Sequence, residues 1–458
     1  MTRSKTKLPA TVMTRRRAIK TAALAGLGLA FLREARAQMN SASDLARLGN
    51  AQLAGRIRSD QTLSQVHRMA QDLLRNGLNA GSGYPSVWIR DMNTFIEVAL
   101  EVNPPQRFRD ALLTFCRLQG DDGNIVDGYY GPAEPVKGAS DSSSVSGLKP
   151  YKNTVETDQE SSLVQAVYKY ITVTHDESIV AERVAGVAVS ERLARAMRFV
   201  LTQRFDPKHG LVWGGTTIDW GDIQPGSPIG SWLDANTHRA LSIYDNAMLV
   251  IALNDYLKLP GVSAPESRHW KTVRDELKHN IRKYLWDSKN RKFIPHVYLN
   301  GSPFPKDFDE NAIYYHGGTA VAIEAGLLSH GEVLHAIERM DEDVRLSGAP
   351  SIGLTVYPPY PKGYFENPAV TNPYTYQNAG DWSWFGGRMI QQLVVQGYVM
   401  EAYRDLQPMV DRVVRTGGFN EWWSRDNQPS GSGDFRGSAG VLGKAIELLQ
   451  SWAKQHTR

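Results

Sequence analysis

The stretch Gly318-Thr319-Ala320-Val321-Ala322-Ile323-Glu324-Ala325-Gly326-Leu327-Leu328, continued after Ser329-His330 by Gly331-Glu332-Val333-Leu334-His335-Ala336-Ile337-Glu338-Arg339-Met340-Asp341-Glu342-Asp343, decides the fold. Its first half is small and apolar on all sides, as a helix buried in protein must be. Its second half places Val333, Ala336, Ile337 and Met340 among glutamates, aspartates and an arginine, the 3.6-residue pattern of a helix with one wet face. A link of two residues forces the two helices to run antiparallel, an inner one beside an outer one.

Working outward from this pair, the same unit recurs. After a lead-in helix near 42–58, the periodicity predicts helices over 63–76, 89–102, 104–118, 157–174, 178–203, 238–257, 265–286, 318–328, 331–343, 382–398, 401–416 and 437–455. On these bounds the connections alternate strictly: 12, 38, 34, 31, 38 and 20 residues leading into each inner helix, but 1, 3, 7, 2 and 2 from an inner helix to the outer one that follows it. Loops that long in a compact domain carry function. Segments 178–203, 265–286, 331–343 and 401–416 have the charged face of outer helices, whereas 247–253, 318–328 and 393–397 suit an inner ring. The expectation is an all-α chain, an (α/α)6 barrel of six inner and six outer helices, with every long loop at one rim. An open stack of helical hairpins is the alternative, and no short-period repeat supports it.

Residues 1–37 read as an export peptide. Thr14-Arg15-Arg16-Arg17-Ala18-Ile19-Lys20 resembles a twin-arginine motif, followed by a weakly apolar run (Thr21 to Leu32) and the small-residue cleavage site Ala35-Arg36-Ala37. The run is too short to serve as a lasting membrane anchor. The expected domains are therefore 1–37, the peptide handed to the twin-arginine translocase, and 38–458, one catalytic barrel released to the periplasm or outside the cell. Removing the peptide takes nine of the 52 Lys/Arg and one of the 48 Asp/Glu, so the net charge falls from +4 to 43 − 47 = −4. A mildly acidic domain without basic clusters argues against nucleic acid as a partner. The single cysteine, Cys116, excludes an intrachain disulfide and reads as a small buried apolar group.

The unusual patches fall where long loops meet predicted inner helices. They are Tyr84-Pro85-Ser86-Val87-Trp88-Ile89-Arg90-Asp91-Met92, Glu156-Thr157-Asp158-Gln159-Glu160-Ser161-Ser162, Ser242-Ile243-Tyr244-Asp245-Asn246, Tyr314-Tyr315-His316-Gly317-Gly318, Tyr376-Gln377-Asn378-Ala379-Gly380-Asp381-Trp382-Ser383-Trp384 and Gly433-Asp434-Phe435-Arg436-Gly437. A hydrophobic core does not require acids, amides and tryptophans to collect at one end. The Ser-rich segment 138–147 reads as a flap beside them.

These patches make the chain from about Gly83 onward resemble the six-hairpin glycosidase superfamily. That group includes neutral trehalases, alkaline/neutral invertases, the processing α-glucosidases of glycoside hydrolase family 63 and the family 125 α-mannosidases. Trp88-Ile89-Arg90-Asp91 is similar to the family's sugar-binding patch, and Asp158-Gln159-Glu160-Ser161-Ser162 to the stretch holding its general acid. Tyr376-Gln377-Asn378-Ala379-Gly380-Asp381-Trp382 resembles its Tyr-x-Asn-Gly-Gly-x-Trp stretch, with Ala379 in place of the first glycine, and Glu421-Trp422-Trp423 resembles the segment bearing its general base. The resemblance implies an inverting hydrolase of α-glycosides or oligosaccharides, with a carbohydrate as substrate and no cofactor, and the six deep loops suggest a closed pocket, which favours exo-action on a chain end.

Inversion needs a protonated carboxyl group at the leaving oxygen and an ionised carboxylate behind a water, roughly 6.5–9.5 Å apart. The expected acid is Asp158 and the expected base Glu421. Glu160 is the local rival, but Thr157-x-x-Glu160 reads as a capping box that would occupy it. Expected sugar contacts are Trp88, the Arg90/Asp91 pair, Trp213 and Trp220 as a stacking platform, Asp222 as a hydroxyl acceptor, and Tyr376, Gln377, Trp382, Trp384 and Trp422. Asp245 and Asn246 need polar partners inside an apolar helix, either substrate or the ring interior. Asp381 is read as the N-cap of the helix beginning at Trp382.

The eleven histidines show no zinc spacing, and Gly431-Ser432-Gly433-Asp434-Phe435-Arg436 misses the dinucleotide fingerprint, so no metal is expected. Two other readings stay open. One is a polysaccharide lyase using His316, Tyr314 and Arg436, and the other a non-catalytic glycan binder.

Overall fold

Small apolar stretches become helices buried on every side in the computed structural model, which describes residues 49–131 and 147–456. The export peptide and all of the Ser-rich flap except Gly147 lie outside the described residues, and of the lead-in helix only 49–59 is described. Contacts divide the chain into a small unit, up to Ser59 and from Trp452, and a large one, Asp60–Ser451. In the large unit the helices are α1 (Gln61–Leu74), α2 (Ile89–Leu100), α3 (Pro105–Arg117), α4 (Gln159–Thr174), α5 (Val189–Gln203), α6 (Ile243–Tyr256), α7 (Ala264–Tyr284), α8 (His316–Glu324), α9 (His330–Ser347), α10 (Ser383–Val395), α11 (Val399–Thr416) and α12 (Arg436–Gln455), the last of which runs on past Ser451. Each predicted segment is found. Among the described residues no helix is long and apolar enough to cross a membrane.

Burial separates two classes. Every residue of α6 except Asn254 is buried, and every residue of α8 except Glu324. Helix α7, by contrast, buries only Trp270, Leu277 and Ile281. The even-numbered helices pack in sequence, α2 on α4, α4 on α6, α6 on α8 and α8 on α10. Gly387 of α10 abuts Val441 of α12, whose carbonyl accepts a 2.9 Å bond from Gln391. Gly440 of α12 lies so near Phe95 of α2 that a Cβ there would collide with its backbone. The last even-numbered helix thus touches the first.

The long loops are likewise joined. Val87–Trp88, before α2, pairs antiparallel with Gly128–Tyr130 of the α3–α4 loop. Within that loop Val155 accepts from Gly215 of the α5–α6 loop at 3.0 Å. Arg239–Leu241 of the α5–α6 loop pairs with Val297–Tyr298 of the α7–α8 loop, where Tyr314–Tyr315 pairs with Val356–Tyr357 of the α9–α10 loop. Asp381 of that loop bridges Trp423 of the α11–α12 loop, and Gly433 of the latter accepts from Ser82 of the α1–α2 loop at 2.9 Å. Six loops therefore form one hydrogen-bonded circuit. These two- to five-residue strands are too short for their alternation to show in the sequence. A secondary core including Ile218, Phe304, Tyr315, Leu354, Tyr360 and Phe365 packs three of the loops together.

Some boundaries differ from expectation. Helix α5 starts at Val189, because Ala185 and Gly186 take positive φ (48° and 80°) and make a hairpin of Arg183–Val184 with Val187–Ala188. Helix α9 starts at His330 behind a capping box of Ser329 and Glu332. The proposed box at Thr157 and Glu160 does not form. Thr157 Oγ1 instead donates to Trp213 O, and Glu160 Oε1 accepts from Ile125 N and Lys152 Nζ. Nor does Asp381 cap α10. Its carboxylate is bound by Ser351 and by the buried Arg412 at 2.8 Å.

Candidate active site

A cavity opens among the loops. Five of the six loops build it. Tyr84 comes from the first, with Trp88, Arg90 and Asp91 at the start of α2. Asp127 and Glu156 come from the α3–α4 loop, and Trp220 and Asp222 from the α5–α6 loop. The α9–α10 loop supplies Tyr376, Gln377 and Trp382, with Trp384 in the first turn of α10, and the α11–α12 loop supplies Glu421 and Phe435. The α7–α8 loop sends none of its lining residues.

Glu421 is held from several sides. Its strand, Asn420–Trp423, shifts register against Pro429–Gly433 between Asn420 and Trp422, a local irregularity of the kind that re-aims a side chain. Tyr84 donates to Oε1 at 2.7 Å, and the backbone N–H of Ser432 to Oε2 at 2.7 Å. Burial raises the pKa of Glu421, opposed by the bonds from Ser432, Tyr84 and Tyr376. Gly431, at φ 70°, lies where a Cβ would collide with the same carboxylate.

Arg90 organises the opposite wall. It binds Asp158 Oδ2 through Nε at 2.9 Å, Glu156 Oε1 through Nη1 at 2.5 Å and the Trp220 carbonyl through Nη2 at 2.9 Å. The expected Arg90/Asp91 pair is thus replaced by a grip on Glu156 and Asp158. Asp91 is pushed up to about 7, by burial first and by the Glu421 charge, with Arg90 pulling the other way. Asp127 is pushed up to about 8 by burial and by Asp158 and Asp222, against Arg90. Burial also raises Glu156.

Asp158 stands behind this wall. It is fully buried, bonded to Arg90 and to the Tyr244 hydroxyl (2.8 Å), and borders a small enclosed gap with Val155, Thr217 and Asp245. Asp222, expected only as a hydroxyl acceptor, lies in the cavity wall itself. Asp222 Oδ1 and Asp127 Oδ1 are buried without partners among the described residues, as are the indole N–H groups of Trp88, Trp220 and Trp384. A buried polar atom without a partner is costly, and here acceptors and donors of this kind stand side by side around one cavity.

Other expected contacts fall elsewhere. Trp213 is flanked by Arg204 and Arg239, 4.8 and 4.6 Å from its ring, and borders a separate groove. Asn246 binds both backbone groups of Val212, and Asp245 binds Ser242, so ring-interior partners satisfy them. Trp422 packs on Tyr376 at 6.4 Å and lies beside the site. Trp220 packs against Trp382 and Trp384 at 4.8 and 4.6 Å as the aromatic floor. Of the expected lyase cluster, Tyr314 and His316 pack edge-to-face at 5.4 Å with His316 facing Asp343 at 3.3 Å, whereas Arg436 binds Asn79 O; none of Tyr314, His316 and Arg436 lines the cavity.

Tyr84, Asp127 and Glu156 are wall residues that the sequence reading did not select. Tyr84 and Glu156 stood in the quoted patches, but Asp127 had only its Asp-Gly turn signature. Away from the cavity, His67, Glu101 and Glu447 bring ligand-type atoms within 4.8 Å of one another. Lys444 already sits 3.5 Å from Glu447 there, so the group reads as an ion-pair cluster.

No protein-family model and no curated protein matches this chain. Solved structures do. A glycoside hydrolase family 63 mannosylglycerate hydrolase from Thermus thermophilus, in complex with glucose, is 15% identical with a TM-score of 0.60, over 84% of this chain and 99% of that one. A rhamnosidase from Klebsiella oxytoca with rhamnose bound is 15% identical with a TM-score of 0.56, over 84% and 63%. A family 78 rhamnosidase of Bacillus sp. GL1 is 16% identical with a TM-score of 0.55, over 84% and 34%. The chain has a glycoside hydrolase fold.

Proposed function

We propose that this chain is a glycoside hydrolase whose twelve helices close as an (α/α)6 toroid, and that it removes an end sugar from an α-glycoside or oligosaccharide with inversion. The observation that carries the reading is the placement of Asp222 and Glu421. They belong to the third and the sixth loops of a six-loop circuit and line the same cavity. Across such a space one carboxyl group can serve the leaving oxygen while the other serves a water on the far sugar face.

In this reading Glu421 is the general base. The hydrogen bonds from Tyr84 and Ser432 fix its orientation and leave its remaining lone pairs for a water. Asp222 is the general acid in place of Asp158, because a proton donor must reach the glycosidic oxygen and Asp158 lies behind Arg90. Asp158 becomes a positioning residue that holds the guanidinium against Glu156 and the Trp220 carbonyl. Trp220 then brings Asp222, two residues on, to the wall. Trp88, Trp382, Trp384, Tyr376 and Gln377 surround the sugar. A cavity walled by five loops favours a chain end over an internal linkage.

Export by the twin-arginine translocase to the periplasm or beyond, on the strength of Arg15-Arg16-Arg17 and Ala35-Arg36-Ala37, belongs to the same proposal, as does a carbohydrate as partner. The mannosides and rhamnosides of the structural relatives are the first substrates to try.

The test uses the protein lacking residues 1–37 on paired glycosides with good and poor leaving groups, the anomer being read by NMR. Asp222→Asn should nearly abolish turnover of poor leaving groups while sparing good ones, and Glu421→Gln should abolish both. Asp158→Asn should depress both classes alike. A leaving-group-selective defect in Asp158→Asn with a silent Asp222→Asn would return the acid role to Asp158. A retained anomer would overturn inversion.

A further inference from the structure

The charge of the cavity wall bears on which sugar fits. Five carboxylate side chains line it: Asp91, Asp127, Glu156, Asp222 and Glu421. Among the described lining residues the one cation is Arg90, and its charge is matched by Glu156 and Asp158. Glu156 is in turn saturated by Arg90, Asn153 and Gln159. Asp127 has the opposite character. Its backbone is fixed on both sides, its N–H donating to Tyr151 and its carbonyl accepting from Ile89, each at 2.9 Å, while Oδ1 has no partner. It is a rigid acceptor with nothing to accept from.

We propose that the cavity admits a glycosyl unit carrying no carboxylate, phosphate or sulfate, and that Asp127 is a specificity-determining residue that reads a sugar hydroxyl and repels an anionic substituent. The inference rests on the glycosidase reading and narrows it. A hydroxyl can donate to Asp127 or Asp222 and accept from the Trp88, Trp220 or Trp384 indole, so one group type satisfies both kinds of orphan. A carboxylate can only accept. It gains the indole donors but faces the acidic wall with no free guanidinium or ammonium among the described residues, and like charges brought together in a desolvated site cost several kcal/mol. Burial first, and the neighbouring carboxylates after it, raise Asp91 and Asp127 against the pull of Arg90. Further negative charge would have to be met by taking up protons.

The test measures binding separately from turnover. Isothermal titration of Glu421→Gln with neutral monosaccharides and the matching uronic acids and 6-phosphates, at pH 9, where Asp91 and Asp127 are ionised, should show the neutral sugars binding roughly 100-fold or more tightly than their anionic forms. Asp127→Asn should narrow that ratio by weakening the neutral sugar and strengthening the uronate. Aryl glycoside and glucuronide pairs with the unaltered enzyme should follow the same order. If neutral sugars bind selectively yet no glycoside is cleaved, the glycosidase reading falls and the selectivity stands. If uronates bind as well as neutral sugars, if Asp127→Asn leaves the ratio unchanged while folded by circular dichroism, or if neither class binds, the proposal is overturned.

Discussion

The hydroxyl of Tyr84 donates a 2.7 Å hydrogen bond to Oε1 of Glu421, so a residue of the first loop orients the carboxylate of the last. The contact spans 337 positions of sequence. It also tunes the charge, because a hydrogen bond to the ionised form favours that form.

Loss of this hydroxyl should therefore appear in the pH profile. Burial already raises Glu421, and Tyr84 is one of the groups holding it down. As the proposed base, Glu421 works only when ionised, so activity should fade as pH falls through its pKa. In Tyr84→Phe the acid limb of kcat/KM should move to higher pH, with kcat at the optimum reduced by about tenfold to a thousandfold. A limb that stays in place would show that the bond does not govern the base.

The crowded carboxylates should make the free protein less stable as pH rises. Asp91 and Asp127 have folded-state values of about 7 and 8, above the ordinary carboxylate value near 4. Between those limits the folded state binds more protons than the unfolded one, so stability is lost as pH rises from about 4 toward 8. Tm should fall across that window apart from other groups' titration, and Asp127→Asn should flatten the fall and raise Tm at pH 8 while weakening activity. Calorimetry at several pH values gives the answer, and an Asp127→Asn that melts earlier at pH 8 would refute it.

Asp381 and Arg412 form a pair at 2.8 Å, each almost wholly buried. Removing one partner leaves an uncompensated charge, so Asp381→Ala should lose about 3–5 kcal/mol in denaturant unfolding. Replacing both by apolar residues should cost much less. Equal losses would mean the pair stabilises by more than avoiding a stranded charge.

Gly431 should be required for activity more than for folding. At φ 70° its Cβ would strike the Glu421 carboxylate and the Trp422 ring. Gly431→Ala should cut kcat by about a hundredfold or more through displacement of the base, with Tm lowered by only a few degrees. Near-normal turnover would show that the hairpin yields and Glu421 does not move.

The helices were legible because their signal is dense. Residues 318–343 alone carry an inner pattern, a short link and an outer pattern, and the structure places α8 and α9 there. What misled were local rules that tertiary partners overrode. Thr157 and Glu160 have capping-box spacing, yet Lys152 and Ile125 draw the glutamate away. Asp158, expected as the acid, is bonded to Arg90 and to Tyr244, and the leaving-group test decides between it and Asp222. Asp127 was silent because its meaning lies in a strand pairing formed by residues at 87–88 and 149–151. Ala379 shows the converse. It replaces a glycine of the resembled motif and holds φ 67°, a backbone that glycine adopts freely and alanine seldom.

The ring of main-chain bonds among the loops also sets how damage spreads. Each loop is fastened to the one before and the one after, and the third is also tied to the fifth, by Asn367 donating to Pro228 O and Ile229 O and by Trp220 packing on Trp382. Paired lesions in adjoining loops, and in the third and fifth, should depart from simple addition, whereas lesions in loops without a direct contact should sum, so that the energetic map of the rim would be a circumference with one chord drawn across it.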